Sequence, residues 1–380
     1  MDARLCDTRV TGKKLLRLFS KSSTIDIGDH KLTDVKAKPV GDNGGTSKVF
    51  RVHLTRSNSG YGLPKSAIVK AIGNDDMVNG YFDSSLQSHL DLFNYQMQKI
   101  NDIECCHGVI ILEDFGDRGA HILKETIFNK GLNWNQLENL LDTLTNLHAW
   151  SVNTSIDWKN RIPELAENPI AGTFAEGLLL ALPQAKQEYP EIFSGVDDSK
   201  LRNYLTLDNY LEIFGCDPRI SNDLPLVVVH GDLQPMNLMF EKIDDKDGAH
   251  TIGDRLVGVI DCQITHPGCG AEDLAQILGW CIPAKIRRER EHAIGRKYVE
   301  LFNSKVTRPE DGIIYANFKR AVDDLFAYGG IMFGCGILGN IAWTTSFSGI
   351  TDKQREALKK ATIEQSSANF VDSLKILGWA

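Results

Sequence analysis

Two short apolar runs, each stopping at a chemically active side chain, restrict this chain more than any other feature. Leu226-Val227-Val228-Val229 ends in His230-Gly231-Asp232-Leu233-Gln234-Pro235-Met236-Asn237, and Leu256-Val257-Gly258-Val259-Ile260 ends in Asp261-Cys262-Gln263. Runs this short, rich in β-branched residues, read as strands rather than helices, each feeding a polar loop. Together the loops supply two carboxylates, Asp232 and Asp261, and the carboxamide of Asn237.

The surroundings of these loops are helical, whereas the N-terminal part is not. Residues 35–40, 48–54 and 66–72 read as three strands joined by the loops 41–47 and 56–60, which implies an antiparallel meander. Leu86, Leu90, Phe93, Met97 and Ile100 predict an amphipathic helix over 84–100, and Val109-Ile110-Ile111-Leu112 a further strand. The composition changes near 113–120. Beyond it, Leu137, Leu140, Leu141, Leu144 and Leu147 form a helical stripe, with more helices expected over 174–188, 198–214 and from 271 onward. The expected organisation is α+β: an N-terminal extension or helix over 1–34, a small sheet-based lobe over 35–115, and a mainly helical lobe over 116–380. A length of 380 residues suits two such bodies.

An Asp, Asn, Asp set on strand-end loops is the kit for phosphoryl transfer. One Asp accepts the proton of an acceptor hydroxyl, while Asn and the second Asp give magnesium the hard oxygen ligands it prefers. Lys70 ends the run Ala67-Ile68-Val69, where an isolated charge costs stability unless it meets an anion or snorkels to water.

The pattern H-G-D-x4-N, then I-D-x-Q, then Asp273-Leu274-Ala275 resembles the aminoglycoside-phosphotransferase and choline-kinase branch of the protein-kinase-like fold. With Leu112-Glu113-Asp114 and Leu147-His148-Ala149, it is most similar to the CHK kinase-like, or ecdysteroid-kinase-like, family, over roughly residues 35–350. The resemblance implies a bilobal kinase-like fold with ATP and Mg2+ as cofactors and a small-molecule hydroxyl acceptor, lipophilic or steroid-like. It places Asp232 on the catalytic Asp, Asn237 and Asp261 on the metal ligands, and Lys70 on the lysine that reaches the ATP phosphates. It also puts Glu113 at the hinge and Gly41, Gly44, Gly45 and Ser47 in the nucleotide loop, although Asn43-Gly44-Gly45 alone is equally a hairpin turn. His230 then braces the catalytic loop, and Asp273 caps its helix and ties it to that loop. One departure is the absence of a Glu from 89–95, which leaves Asp91 or Asp83 as partner for Lys70 and a catalytically impaired nucleotide-binding protein as the alternative. The chain has no H-R-D or A-P-E triplet, and Asp261-Cys262-Gln263 is not D-F-G, so the marks of a protein kinase are missing.

Other features read as structural. Lys+Arg number 42 against 50 Asp+Glu, a net charge of −8, which argues against nucleic acid as a partner. Lys285, Arg287, Arg288 and Arg290, interleaved with Glu289 and Glu291, read as a solvated helix face. The uncharged stretch 325–351 reads as a buried core helix rather than a membrane span, and His266-Pro267-Gly268-Cys269 as a loop rather than a metal site. His148 and Trp150 are expected to pack at a helix end. Eight cysteines without a C-x-x-C, and no apolar leader at the N-terminus, fit a reduced, cytoplasmic protein; oligomeric state is not encoded in any recognisable feature.

Overall fold

The computed structural model describes residues 11, 13, 15, 32–40, 47–56, 66–72, 109–113, 115, 119–121, 131–168, 177, 180–215, 223–244, 250–340 and 351–380. The expected helix 84–100, with Asp83 and Asp91, and the loop glycines Gly41, Gly44 and Gly45 lie outside these residues. The chain divides into two compact units, Met1–Gly116 and Asp117–Ala380.

The first unit holds a four-stranded antiparallel sheet in the order β1 (Leu32–Pro39), β2 (Ser47–Arg56), β3 (Ser66–Ile72), β4 (Val109–Glu113). Strand β2 shows why these residues make a sheet: Phe50, Val52 and Leu54 are buried while His53 and Thr55 are exposed, the two-residue period of a half-buried strand. Lys70 sits in the middle of the sheet, its backbone paired with Val49 on one side and Ile110 on the other, and Glu113 pairs with Ala67 at the end of β4. Ser47 opens β2 opposite Ile72.

The second unit starts with β5 (Gly119–His121) and the helix α1 (Trp134–Asn153). A reciprocal cap begins α1: Asn133 Oδ1 accepts from the Gln136 N–H at 2.9 Å and Gln136 Oε1 from the Asn133 N–H at 3.1 Å. Leu137, Leu140, Leu141 and Leu144 are buried as the stripe requires, but the stripe continues through His148 rather than Leu147. Leu147 and Trp150 lie on the outer side, 36% and 43% exposed, so Trp150 does not pack at the helix end as expected.

Next come α2 (Leu182–Glu188), α3 (Asp198–Tyr204) and α4 (Leu207–Phe214). The single helix expected over 198–214 is thus two, because Thr206 stays extended and caps α4 by accepting from the Asn209 N–H at 3.2 Å. Strand β6 (Leu226–Val229) pairs antiparallel with β9 (His266–Cys269), and the hairpin β7 (Leu238–Asp244) and β8 (His250–Val259) joins β5 in a second small sheet. Helix α5 (Gly270–Gln276) runs into a π-helical turn, Ile277–Cys281. Three long helices complete the unit: α6 (Ala284–Lys305), α7 (Tyr315–Gly339) and α8 (Asp352–Ile376).

Helix α7 is the centre of the core. Its apolar stretch is long enough to cross a membrane by length and composition, and 83% of that window is buried inside the unit. It lies so close to α8 that a Cβ on Gly330 would overlap Ser373 Oγ and one on Gly334 would meet Phe370 Cβ at 3.1 Å.

The basic run on α6 is not a solvated face throughout. Arg287 is only 2% exposed: its Nη2 donates to Asp372 Oδ2 at 2.6 Å and to Asn369 Oδ1 at 3.3 Å, and its guanidinium lies over the Phe326 ring, 4.4 Å from the centroid. Arg288 chelates the same carboxylate from outside, at 2.7 and 3.0 Å. The sequence pattern counts charges but does not reveal that α8 brings an acid to meet them. Arg287→Ala is expected to cost about 2–3 kcal/mol, through lost packing and a half-compensated Asp372, measurable as a lower urea midpoint.

Candidate active site

The loop 230–237 leaves β6 and enters β7, and the loop beginning at Asp261 leaves β8. Because Leu238 pairs with Val259 in the β7–β8 hairpin, and the Ile260 N–H donates to the Asn237 carbonyl at 2.9 Å, Asn237 and Asp261 come to the same end of that hairpin. The register of one hairpin therefore unites the two sequence motifs.

Asp232 is held from two sides. Asn237 Nδ2 donates to the Asp232 carbonyl at 2.8 Å and to its Oδ2 at 2.9 Å, and Gln234 Nε2 donates to Oδ1 and Oδ2 at 3.1 and 3.2 Å. Burial pushes the Asp232 carboxyl above the usual carboxylate range and the Asp261 charge adds to this, against the pull of Gln234, His230 and Asn237. A carboxylate so placed has increased basicity while remaining directionally fixed. With Nδ2 of Asn237 committed to Asp232, the amide oxygen of Asn237 is the atom with lone pairs to offer a cation. Asp261 is the one non-glycine residue with positive φ among the described residues, at φ 67° and ψ 58°. Asp tolerates this left-handed region better than most side chains, and such residues concentrate at functional sites.

His230 braces both loops: its Nδ1 accepts from the Asp232 N–H at 3.2 Å and its Nε2 donates to the Ile260 carbonyl at 3.0 Å. Gly231 turns the chain at φ +81°, and a Cβ there would stand 2.7 Å from the Ile264 carbonyl oxygen. Both conditions exclude a side chain.

Helix α5 supports the loop from beneath. Asp273 does not cap its helix, whose N-cap position is Cys269, because it lies within the first turn. Its carboxylate instead accepts the N–H groups of His230 at 3.0 Å and Gly231 at 3.1 Å, together with His148 Nε2–H at 3.1 Å. Burial alone would push Asp273 up, but the hydrogen bond from His148, with the loop amides, holds it below the ordinary carboxylate range. One turn on, Gln276 Oε1 accepts the Leu233 N–H and its Nε2 donates to the Gly231 carbonyl, both at 2.7 Å. Helix α1 adds Ser151, whose Oγ accepts the Val228 N–H at 3.0 Å. The sequence does not reveal His148, Ser151 and Gln276 as supports: His148 enters the motifs only within Leu147-His148-Ala149, with packing at a helix end as its expected part, and Ser151 and Gln276 belong to no motif. The one available signal is a histidine continuing a leucine stripe.

His266 is a structural residue of the same unit. Its Nδ1 and Nε2 face the carbonyls of Ile264 at 2.8 Å and Phe214 at 3.1 Å, so both nitrogens carry protons and the ring is an imidazolium, with Glu272 Oε2 3.2 Å away. Burial disfavours that cation, yet the Glu272 charge and these bonds raise His266 to about 9. A His raised from 6.5 contributes stability that is complete below pH 6.5 and is lost as pH rises through about 9. Thermal melts between pH 6 and 10 are expected to fall along that limb, and less steeply in His266→Asn.

An apolar cleft runs beside Gln276, lined by Phe214, Trp280, Leu325, Phe326 and Phe333. Trp280 lies on the π-helical turn, a form common at functional sites. Tyr204 and Tyr328 pack on each other, centroids 5.0 Å apart.

Residues 87–375 match the model of the DUF1679 family, described as "Uncharacterized oxidoreductase dhs-27". The chain belongs to this family. It is 22% identical over 310 residues to the Caenorhabditis elegans protein named "Uncharacterized oxidoreductase dhs-27", an alignment covering 73% of this chain and 36% of that relative. This DUF1679 member thus spans little more than a third of the curated relative it matches. Among solved structures it is similar to the GDP complex of wild-type aminoglycoside 2'-phosphotransferase-IIIa, with 14% identity, TM-score 0.38, and 87% of this chain and 93% of the other covered. It is also similar to choline kinase LicA from Streptococcus pneumoniae, with 11% identity, TM-score 0.36 and coverages of 88% and 94%. A third is the macrolide 2'-phosphotransferase MphH from Brachybacterium faecium, with 13% identity, TM-score 0.36 and coverages of 92% and 97%.

Proposed function

We propose that this DUF1679 member is an ATP- and magnesium-dependent kinase of the protein-kinase-like fold that phosphorylates a hydroxyl of a small lipophilic or steroid-like molecule. The observation that carries the reading is the Asp232 carboxylate, fixed by Asn237 and Gln234 and raised in basicity by burial. Asp232 orients the acceptor O–H and takes its proton as the oxygen attacks phosphorus. Asn237 Oδ1 and the Asp261 carboxylate are hard oxygen donors of the kind magnesium prefers, and both residues stand at one end of the β7–β8 hairpin. Magnesium, when bound there, offsets the charge on the phosphate oxygens. On the nucleotide side, the reading assigns Lys70 to the phosphates, Gly41, Gly44, Gly45 and Ser47 to the loop that covers them, and Glu113 to the hinge. The ecdysteroid-kinase-like resemblance of the motifs points to a lipophilic or steroid-like acceptor. The word oxidoreductase belongs to a relative of which this chain spans 36%.

The test is magnesium-dependent ATP turnover by the purified chain against steroid alcohols, choline-like amines and aminoglycosides, together with thermal shift by ATP and magnesium. Phosphorylated product is the expected result. Stabilisation without product from any acceptor would favour a catalytically impaired nucleotide-binding protein, and neither stabilisation nor product would overturn the nucleotide site.

A further inference from the structure

The Asp232 loop is held by a chain of hydrogen bonds that reaches well beyond the loop. His148, Asp273 and Tyr298 are each at most 1% exposed. The Tyr298 hydroxyl lies 2.6 Å from His148 Nδ1, and His148 Nε2 lies 3.1 Å from Asp273 Oδ2. A carboxylate only accepts, so Nε2 carries the proton toward Asp273, and in the neutral imidazole Nδ1 then presents its lone pair to Tyr298. Burial keeps the Tyr298 phenol protonated, so its O–H has a hydrogen to donate to that lone pair. Proton direction is then fixed from Tyr298 through His148 to the carboxylate that accepts the His230 and Gly231 amides.

We propose that Tyr298 is a positioning residue for the Asp232 loop, its hydroxyl locking the His148 ring so that Asp273 stays aimed at the loop amides. The kinetic consequence rests on the phosphotransfer reading; the structural consequence does not. Without the hydroxyl, Nδ1 is a buried acceptor with no donor, the ring regains rotation, and Nε2–H leaves the carboxylate part of the time. Asp273 then swings on its two remaining donors, and the turn at Gly231 loosens.

The local packing supports a dedicated role for the hydroxyl. Tyr298 already stacks on Phe318, centroids 4.4 Å apart and rings 10° from parallel, so a phenyl ring would serve apolar contact alone. Helix α5 also begins with a glycine where a Cβ would overlap the Tyr298 hydroxyl and stand 3.0 Å from His148 Nδ1. Gly270 thus leaves room for the bond.

Tyr298→Phe keeps the stack and removes one atom, so the full chain is expected to fold. Amide hydrogen exchange is the primary readout: the His230 and Gly231 amides are expected to exchange roughly tenfold faster, with the Val228 amide, held by Ser151, changed less than twofold. Long-range 15N NMR should find the Nε2–H tautomer of His148 in the wild type and a mixture in the variant. Gly270→Ala should accelerate the same two amides when introduced into the wild type and add little when combined with Tyr298→Phe. If the kinase reading holds, kcat falls roughly tenfold with the KM for ATP within twofold. Unchanged exchange at His230 and Gly231 overturns the proposal, whatever the kinetics, and so does equal acceleration across α7, which is plain destabilisation. Absence of turnover in the wild type touches the function proposed above and leaves the exchange and NMR results to decide this one.

Discussion

Asp232→Asn is expected to lower kcat for acceptor phosphorylation roughly 10^3-fold, while the thermal midpoint stays within about 3 °C. That loss corresponds to about 4 kcal/mol of barrier, a reasonable share for a fixed base that also orients its substrate. Stability should barely respond because the native site gains little from this carboxylate. Burial and the Asp261 charge raise its pKa, so the ionised form is held at a cost to the fold rather than a benefit. The amide keeps size and shape, and one oxygen to accept from Asn237 or Gln234. Initial rates at saturating ATP and magnesium, paired with a melt of the same sample, check both halves. A variant with more than a tenth of wild-type kcat would remove Asp232 from the chemistry.

What the residues reveal by themselves, and what they do not, divides along the range of the interactions. Strands β2 and β3 are legible because a half-buried strand writes its period locally, in Phe50, Val52 and Leu54 or in Ala67 and Val69. The motif residues are legible because their roles depend on spacing within one loop. Strand β9 reads as a loop in the sequence, since His266-Pro267-Gly268-Cys269 has no strand propensity of its own and is ordered by pairing with β6. Arg287 looks solvated for a similar reason: its partner, Asp372, lies near the far end of the chain. Residues 198–214 look like one helix because the apolar spacing continues through the break at Thr206, and only the cap reveals it. Asp273 meets the loop as the sequence predicts but does not cap its helix. An acid in a first turn suits either use, and the choice is made by His148, from a helix 125 positions away in sequence.

Asp273→Ala is expected to be the most damaging single change in the second unit, costing about 4 kcal/mol and lowering the thermal midpoint by about 10 °C. Three buried or half-buried donors, His148 Nε2–H and the His230 and Gly231 amides, would lose their shared acceptor at once. Ser151→Ala provides the scale: it removes one acceptor, that of the Val228 amide, and should cost about 1 kcal/mol. The same carboxylate sets part of the acid limb. Its folded pKa lies below the ordinary 3.8, so its contribution is complete above that value and disappears as pH falls through the folded pKa. Wild type and Asp273→Ala should therefore converge in stability under strong acid and diverge toward neutral pH, which urea titrations at several pH values would read. Turnover must be compared below the midpoint of the weaker protein, because a loop released from α5 loses Asp232 geometry before the unit unfolds. A loss of kcat that persists at low temperature, with the far-ultraviolet spectrum intact, would separate misplaced chemistry from lost fold. Parallel loss of both would mean that the Asp273 anchor and the core of the unit unfold as one cooperative body.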